Sequence, residues 1–162
     1  MNDPDNPIER PFTVEEKHAL SLLMDMVIPP SKTYGVPGAG DTLILNTIIN
    51  DAGRRTPRLM DALAALEEMS QEGCGVGFAE LPVEQRGSIV NAFREAHPGV
   101  ANLIANLATQ CYYRDDRVMI ALDMETRPPH PEGYVVEQGD WSLLNPVRKR
   151  AAFYRKLDQP SS

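Results

Sequence analysis

The sequence is short of several things, and each shortage closes off a class of function. Cysteine occurs only at Cys74 and Cys111, too few for a disulfide scaffold or a four-cysteine zinc site. Basic charge is outnumbered, 16 Lys and Arg against 23 Asp and Glu, for a net charge of −7. Such a surface gains nothing from counterion release on a phosphate backbone and is disfavoured at anionic lipid, so broad nucleic-acid binding is not expected. No apolar run nears the ~18 residues of a membrane span, so no direct membrane insertion is expected either. Internal repeats and low-complexity tracts are absent. Residues 1–11 have no basic n-region, apolar stretch or twin arginine. The expected location is therefore cytoplasmic, or periplasmic if an upstream twin-arginine signal has been removed.

No stretch alternates apolar with polar β-branched residues, whereas helical spacing recurs throughout. Thr13-Val14-Glu15-Glu16 has the capping-box pattern, followed by Leu20, Leu23, Met24 and Val27 on one face. The first helix is predicted over Val14–Val27, with Pro29-Pro30 ending it. Asp41 is placed to cap a second helix with Ile44, Leu45, Ile48 and Ile49 inward. Thr56-Pro57 reads as a cap followed by a first-turn proline, opening a third helix with Leu59, Ala62, Leu63 and Leu66 on one face. Leu81-Pro82 starts a fourth that buries Ile89, Val90 and Phe93. Pro98 opens the fifth, whose stripe of Val100, Leu103, Ile104, Leu107, Ala108 and Cys111 is the cleanest in the chain. A short helix is predicted over residues 116–122. The predicted fold is thus all-α, one helical domain of about five to seven helices over residues 13–157.

The texture changes after Tyr112. Pro128, Pro129 and Pro131 put three prolines into four positions, which removes donors and fixes φ, so extended chain is the default. An extended Pro-rich arm is predicted over residues 124–144, with Tyr134, Trp141, Leu143 and Leu144 in it. Asn145-Pro146 restarts a helix carrying Val147, Ala151 and Tyr154. Residues 1–12 and 158–162 are expected to be a flexible start and a disordered tail. A long irregular segment carrying aromatic residues is either an interface or a strap over the domain's own core.

Candidate chemistry is sparse. The glycine runs at residues 35–40 and 73–77 lack the strand that a phosphate cradle requires, and read as turns between helices. His18, His97 and His130 have no ligand spacing. Cys111 lies in a core stripe. Cys74, between glycines, is the one candidate nucleophile, though no local signature supports a Cys-His pair. Asp115-Asp116 reads as a helix start. Arg148, Lys149, Arg150, Arg155 and Lys156 gather five of the sixteen cations into nine positions. Phe153 and Tyr154 lie among them, yet a helix C-terminus or a site for an acidic partner suits an acidic chain better. The rival functions are therefore a small enzyme using Cys74 or a histidine, and a nucleic-acid module using the basic C-terminal stretch.

One order of residues is distinctive. Val27-Ile28-Pro29-Pro30 ends the first helix, and Gly38-Ala39 precedes an acidic helix start. Phe78 and Leu81-Pro82 follow, then Tyr112-Tyr113, then Pro128 through Gly133-Tyr134. Trp141, Leu144, Pro146, Val147 and Arg148 close the series. This order, over residues 13–154, resembles the gluconate 2-dehydrogenase subunit 3 family, the small or gamma subunits of bacterial flavin-dependent sugar and alcohol dehydrogenases. The resemblance implies a non-catalytic subunit with no catalytic, cofactor-binding or metal-binding residue of its own. It implies a large partner of the glucose-methanol-choline oxidoreductase class that carries FAD and is stabilised, chaperone-like, by the small subunit. Some complexes of the family add a cytochrome c subunit as electron acceptor. Many members carry a twin-arginine signal and this sequence does not, which favours a cytoplasmic complex. Together with the arm's composition, the resemblance makes Pro128, Pro129, Pro131, Tyr134, Trp141, Leu143 and Leu144 the expected partner interface.

Overall fold

The computed structural model describes residues 10–128, 130, 133 and 137–151. Among these the architecture is all-α, with no strand and one isolated antiparallel bridge between Ser31 and Val36. The chain divides into two compact units that meet between Thr126 and Arg127.

The first unit holds six α-helices. α1 (Val14–Val27) begins with a complete capping box: Thr13 Oγ1 accepts from the Glu16 N–H and Glu16 Oε2 accepts from the Thr13 N–H. α2 (Thr42–Ala52) is capped by Asp41 Oδ1, which accepts from the Leu43 N–H at 3.0 Å. A 3-10 turn, Gly53–Arg55, leads into α3 (Thr56–Cys74). Thr56 is itself helical (φ −50, ψ −46), buried, and makes no capping hydrogen bond. The predicted cap is therefore corrected: the preceding 3-10 turn already supplies helical geometry, and Pro57 still lies in the first turn, as expected. Gly75, at φ +75, terminates α3 in the left-handed conformation that glycine adopts without a Cβ clash. A second 3-10 turn, Phe78–Glu80, precedes α4 (Val83–Ala96), for which Pro82 is the N-cap. α5 (Pro98–Tyr112) and α6 (Asp116–Ala121) complete the unit.

α5 packs against α1, α2, α3 and α4, which accounts for its unbroken stripe: a helix with neighbours around much of its girth needs apolar residues on every inward turn. Ile104, Leu107, Ala108 and Cys111 are buried there, with Val100 and Leu103 partly so. On α4 only Phe93 is fully buried, while Ile89 and Val90 are half-buried against the core. Phe12, expected in a flexible start, is also buried at 7% exposure and belongs to the core. A single aromatic outside any periodic run gives no sequence signal of burial.

The unit starting at Arg127 is built differently. Trp141–Leu144 form a 3-10 turn capped by Asp140 Oδ1, which accepts from the Ser142 N–H at 2.9 Å. α7 (Asn145–Arg148) follows directly. The arm predicted as extended to Leu144 thus coils at its end, because the Asp140 cap satisfies the turn's first free donors. The helix predicted onward to Tyr154 stops at Arg148. Ala151 lies outside it, and Tyr154 lies outside the described residues. Three consecutive cations, Arg148-Lys149-Arg150, follow the single apolar Val147. With no apolar face to dock, a one-turn helix has no reason to propagate.

Candidate partner interface

Four of the seven predicted interface residues lie among the described ones. Pro128 is exposed; Pro129, Pro131 and Tyr134 lie outside the described residues. Arg127 Nη2 donates to Gly133 O at 2.6 Å. Trp141, Leu143 and Leu144 are 62%, 74% and 39% exposed. Residues three apart eclipse in a 3-10 turn, so Trp141 and Leu144 share one side of it. Val147, in the next turn, is also exposed. Trp141, Leu143, Leu144 and Val147 are thus four exposed apolar side chains within seven consecutive residues. Exposed aromatic and aliphatic side chains so arranged are typical of contact surfaces.

The first unit carries a second exposed apolar group that sequence reasoning missed. Tyr113, Ile120, Leu122 and Met124 are all about half exposed or more. They cluster in sequence from the end of α5 through the turn after α6, where Asp123 adopts φ +55. α6 is six residues long, too short for periodicity to reveal which face is outward.

The glycine runs weighed as phosphate cradles are occupied structurally. At the loop before α2, Gly40 N–H donates to Asp25 Oδ1 at 2.8 Å and Ser21 Oγ donates to Gly40 O at 2.9 Å. The Ala39 N–H donates to Ile28 O, and Ala39 is fully buried. A Cβ on Gly38 would lie 2.2 Å from Asp25 Oδ1, and one on Gly40 2.3 Å from Ser21 O. These glycines let the loop lie flush on α1. They do not form an open cradle. The 73–77 run works similarly: Ser70 Oγ donates to Val76 O, and Glu67 Oε2 accepts from the Phe78 N–H.

Cys74 and Cys111 are free thiols, the first exposed and the second buried. Burial raises the Cys111 pKa, with the Asp51 carboxylate adding to the effect, so this thiol is held in its unreactive form. His18, His97 and His130 are exposed and far apart in the chain; the His97 ring stacks obliquely on Phe93 with centroids 5.1 Å apart. Among the described residues, no three His, Cys, Asp or Glu side chains are grouped to hold a metal ion. Asp115 caps α6 by accepting from the Arg117 N–H. Arg117 in turn binds Asp115 with two guanidinium nitrogens and reaches Asp41, the α2 cap, at 2.7 Å. These hydrogen bonds hold both carboxyls below their usual range, the behaviour of structural ion pairs. A second pair, Arg114 with Asp51, ties the end of α5 to α2.

No helix among the described residues is long and apolar enough to cross a membrane. Neither the curated proteins nor the solved structures include a match to this chain. The family described as Gluconate 2-dehydrogenase subunit 3 does match, over residues 14–121. That span runs from the first residue of α1 to the last of α6. The motif from Gly133 to Arg148 that contributed to the resemblance lies beyond it. Two-thirds of the sequence, including all six helices of the first unit, is covered. The chain therefore belongs to the gluconate 2-dehydrogenase subunit 3 family, a subunit family of dehydrogenase complexes.

Proposed function

We propose that this protein is a non-catalytic small subunit that binds and stabilises the FAD-bearing catalytic subunit of a sugar or alcohol dehydrogenase of the glucose-methanol-choline type. The family match over α1–α6 carries the proposal. The exposed group at Trp141, Leu143 and Leu144 supports it by offering apolar contact area outside the helical core. The prolines contribute in advance. Their preset φ lowers the conformational entropy lost when the segment docks. Pro128, Pro129, Pro131 and Tyr134 complete the proposed contact region. A cytochrome c or other electron acceptor is the further partner proposed for the complex.

The test is to purify the chain from its native host and ask what accompanies it. The expected companion is a larger yellow protein with an oxidised-flavin absorption spectrum and sugar or alcohol dehydrogenase activity. Producing that companion alone should give less soluble, less heat-resistant enzyme. If no flavoprotein accompanies the chain, or the flavoprotein is equally stable without it, the proposal fails. Dehydrogenase turnover by the chain alone would overturn it as well.

A further inference from the structure

A groove of 540 Å³ lies between the start of α1, the middle of α3 and the Phe78–Glu80 turn. Its apolar lining is short or pliable: Ala19, Met60, Leu63, Ala64 and Ala79. Its charged lining is one-sided, with Glu15, Glu16, Asp61, Glu67 and Glu80 against Arg10 alone. Five carboxylates and one guanidinium leave −4 in this groove, out of −7 for the whole chain.

Two of these acids already have work in the fold. Glu67 holds the Phe78 N–H, and Glu16 completes the α1 capping box. The side-chain carboxylates of Asp61 and Glu80 make no hydrogen bond or ion pair among the described residues. Arg10 shows how the groove takes a cation: its two terminal nitrogens lie 2.8 and 2.5 Å from the two carboxylate oxygens of Glu16. This fork-on-carboxylate pairing suits arginine better than lysine. Small lining side chains leave room for the aliphatic stem of a long side chain to lie along the surface. Unpaired carboxylates repel an acidic occupant and attract a basic one, which affects encounter rate and partner choice more than total affinity.

We propose that this groove docks an arginine-bearing segment of the catalytic subunit, with Asp61 and Glu80 as the acceptors. The inference rests on the function proposed above and adds a second, charge-selected contact to the apolar one. It is tested in the intact complex by placing the photo-crosslinker p-benzoylphenylalanine at Ala64, which is exposed, and sequencing the peptide captured. A peptide of the flavoprotein containing arginine is the expected result. Capture of a flavoprotein segment without basic residues, of a second copy of this chain, of the chain's own ends, or of nothing would overturn the inference. A second measurement uses D61K/E80K in the full chain. Association with the flavoprotein at low salt should slow by about tenfold, and high salt should narrow the gap to wild type. An unchanged rate in a variant that retains its helical circular dichroism overturns the inference, whereas failure to recover any flavoprotein with wild type overturns the function beneath it.

Discussion

Up to Thr126 the chain buries a core of apolar residues; from Arg127 onward none of the described ones is buried. Both parts contain Leu, Val and an aromatic, so composition does not separate them. Periodic length does. α5 repeats its apolar positions over 15 residues and can lay a continuous stripe against four neighbouring helices. The Trp141–Leu144 turn and α7 together span eight residues, and among them no residue is buried. A helix one turn long contributes little stability of its own, and Trp141 and its neighbours remain available for contact elsewhere. The comparison leads us to propose an assignment: the buried core of the first unit carries stability, and the exposed Trp141 stretch carries partner contact, beside the groove proposed above.

The most demanding way to break that assignment pairs Phe93→Ala with Trp141→Ala. Phe93 is 2% exposed, so its truncation should cost the chain ~3–5 kcal/mol and lower the melting temperature sharply. Trp141→Ala should leave melting nearly unchanged and weaken flavoprotein binding by ~2–4 kcal/mol, a factor of roughly 30 to 1,000. A large melting shift from Trp141→Ala, with binding intact at a temperature where the variant is folded, would reverse the assignment.

A smaller effect is expected at the loop on α1. Gly40→Ala forces a Cβ against Ser21 O and the Asp25 carboxyl, and overpacking of this kind costs about 1–3 kcal/mol. Gly139→Ala, in the second unit with no atom near its virtual Cβ, should be close to neutral. Urea unfolding of the two variants sharpens the contrast between a packed and an open backbone.

Acid should act on the first unit through its paired carboxyls. The Arg10 guanidinium holds Glu16 at about 2, below its usual 4.5, and Arg117 lowers Asp41 and Asp115. A carboxyl lowered by folding stabilises the folded state above its unfolded pKa, and that stabilisation is lost as pH falls through the folded one. The Glu16 contribution should therefore be complete above about pH 4.5 and disappear toward pH 2. Melting temperatures followed down this range should fall less steeply for Glu16→Gln than for wild type. Because these pairs lie at the surface, added salt should shrink the difference.

The gentlest probe is thiol labelling. Cys74 should react at once in the native protein, and Cys111 only on unfolding, with two thiols in total. Rapid native labelling of Cys111 would mean that the α5 core is open.

Much of the first unit was legible because the forces that begin, end and face its helices act over four residues or fewer. Thr13 with Glu16, Asp41 with Leu43, and Asp115 with Arg117 are local hydrogen bonds that the sequence spells out, as are the stripes of α1, α2, α3 and α5. The interface residues were legible only as composition: prolines that bar a helix, and Trp141 in a stretch without a core pattern. What the tertiary structure alone decided joins residues far apart in the chain. It set Phe12 into the core and brought Gly40 within hydrogen-bond reach of Asp25, 15 positions away. It linked Arg117 to Asp41 across 76 positions, and it gathered Glu15, Asp61 and Glu80 around one groove. Helix caps and stripes repeat at spacings set by the backbone, so they can be read along the chain. Contacts between helices depend on which faces meet, and the packing of α5 against its four neighbours decides that.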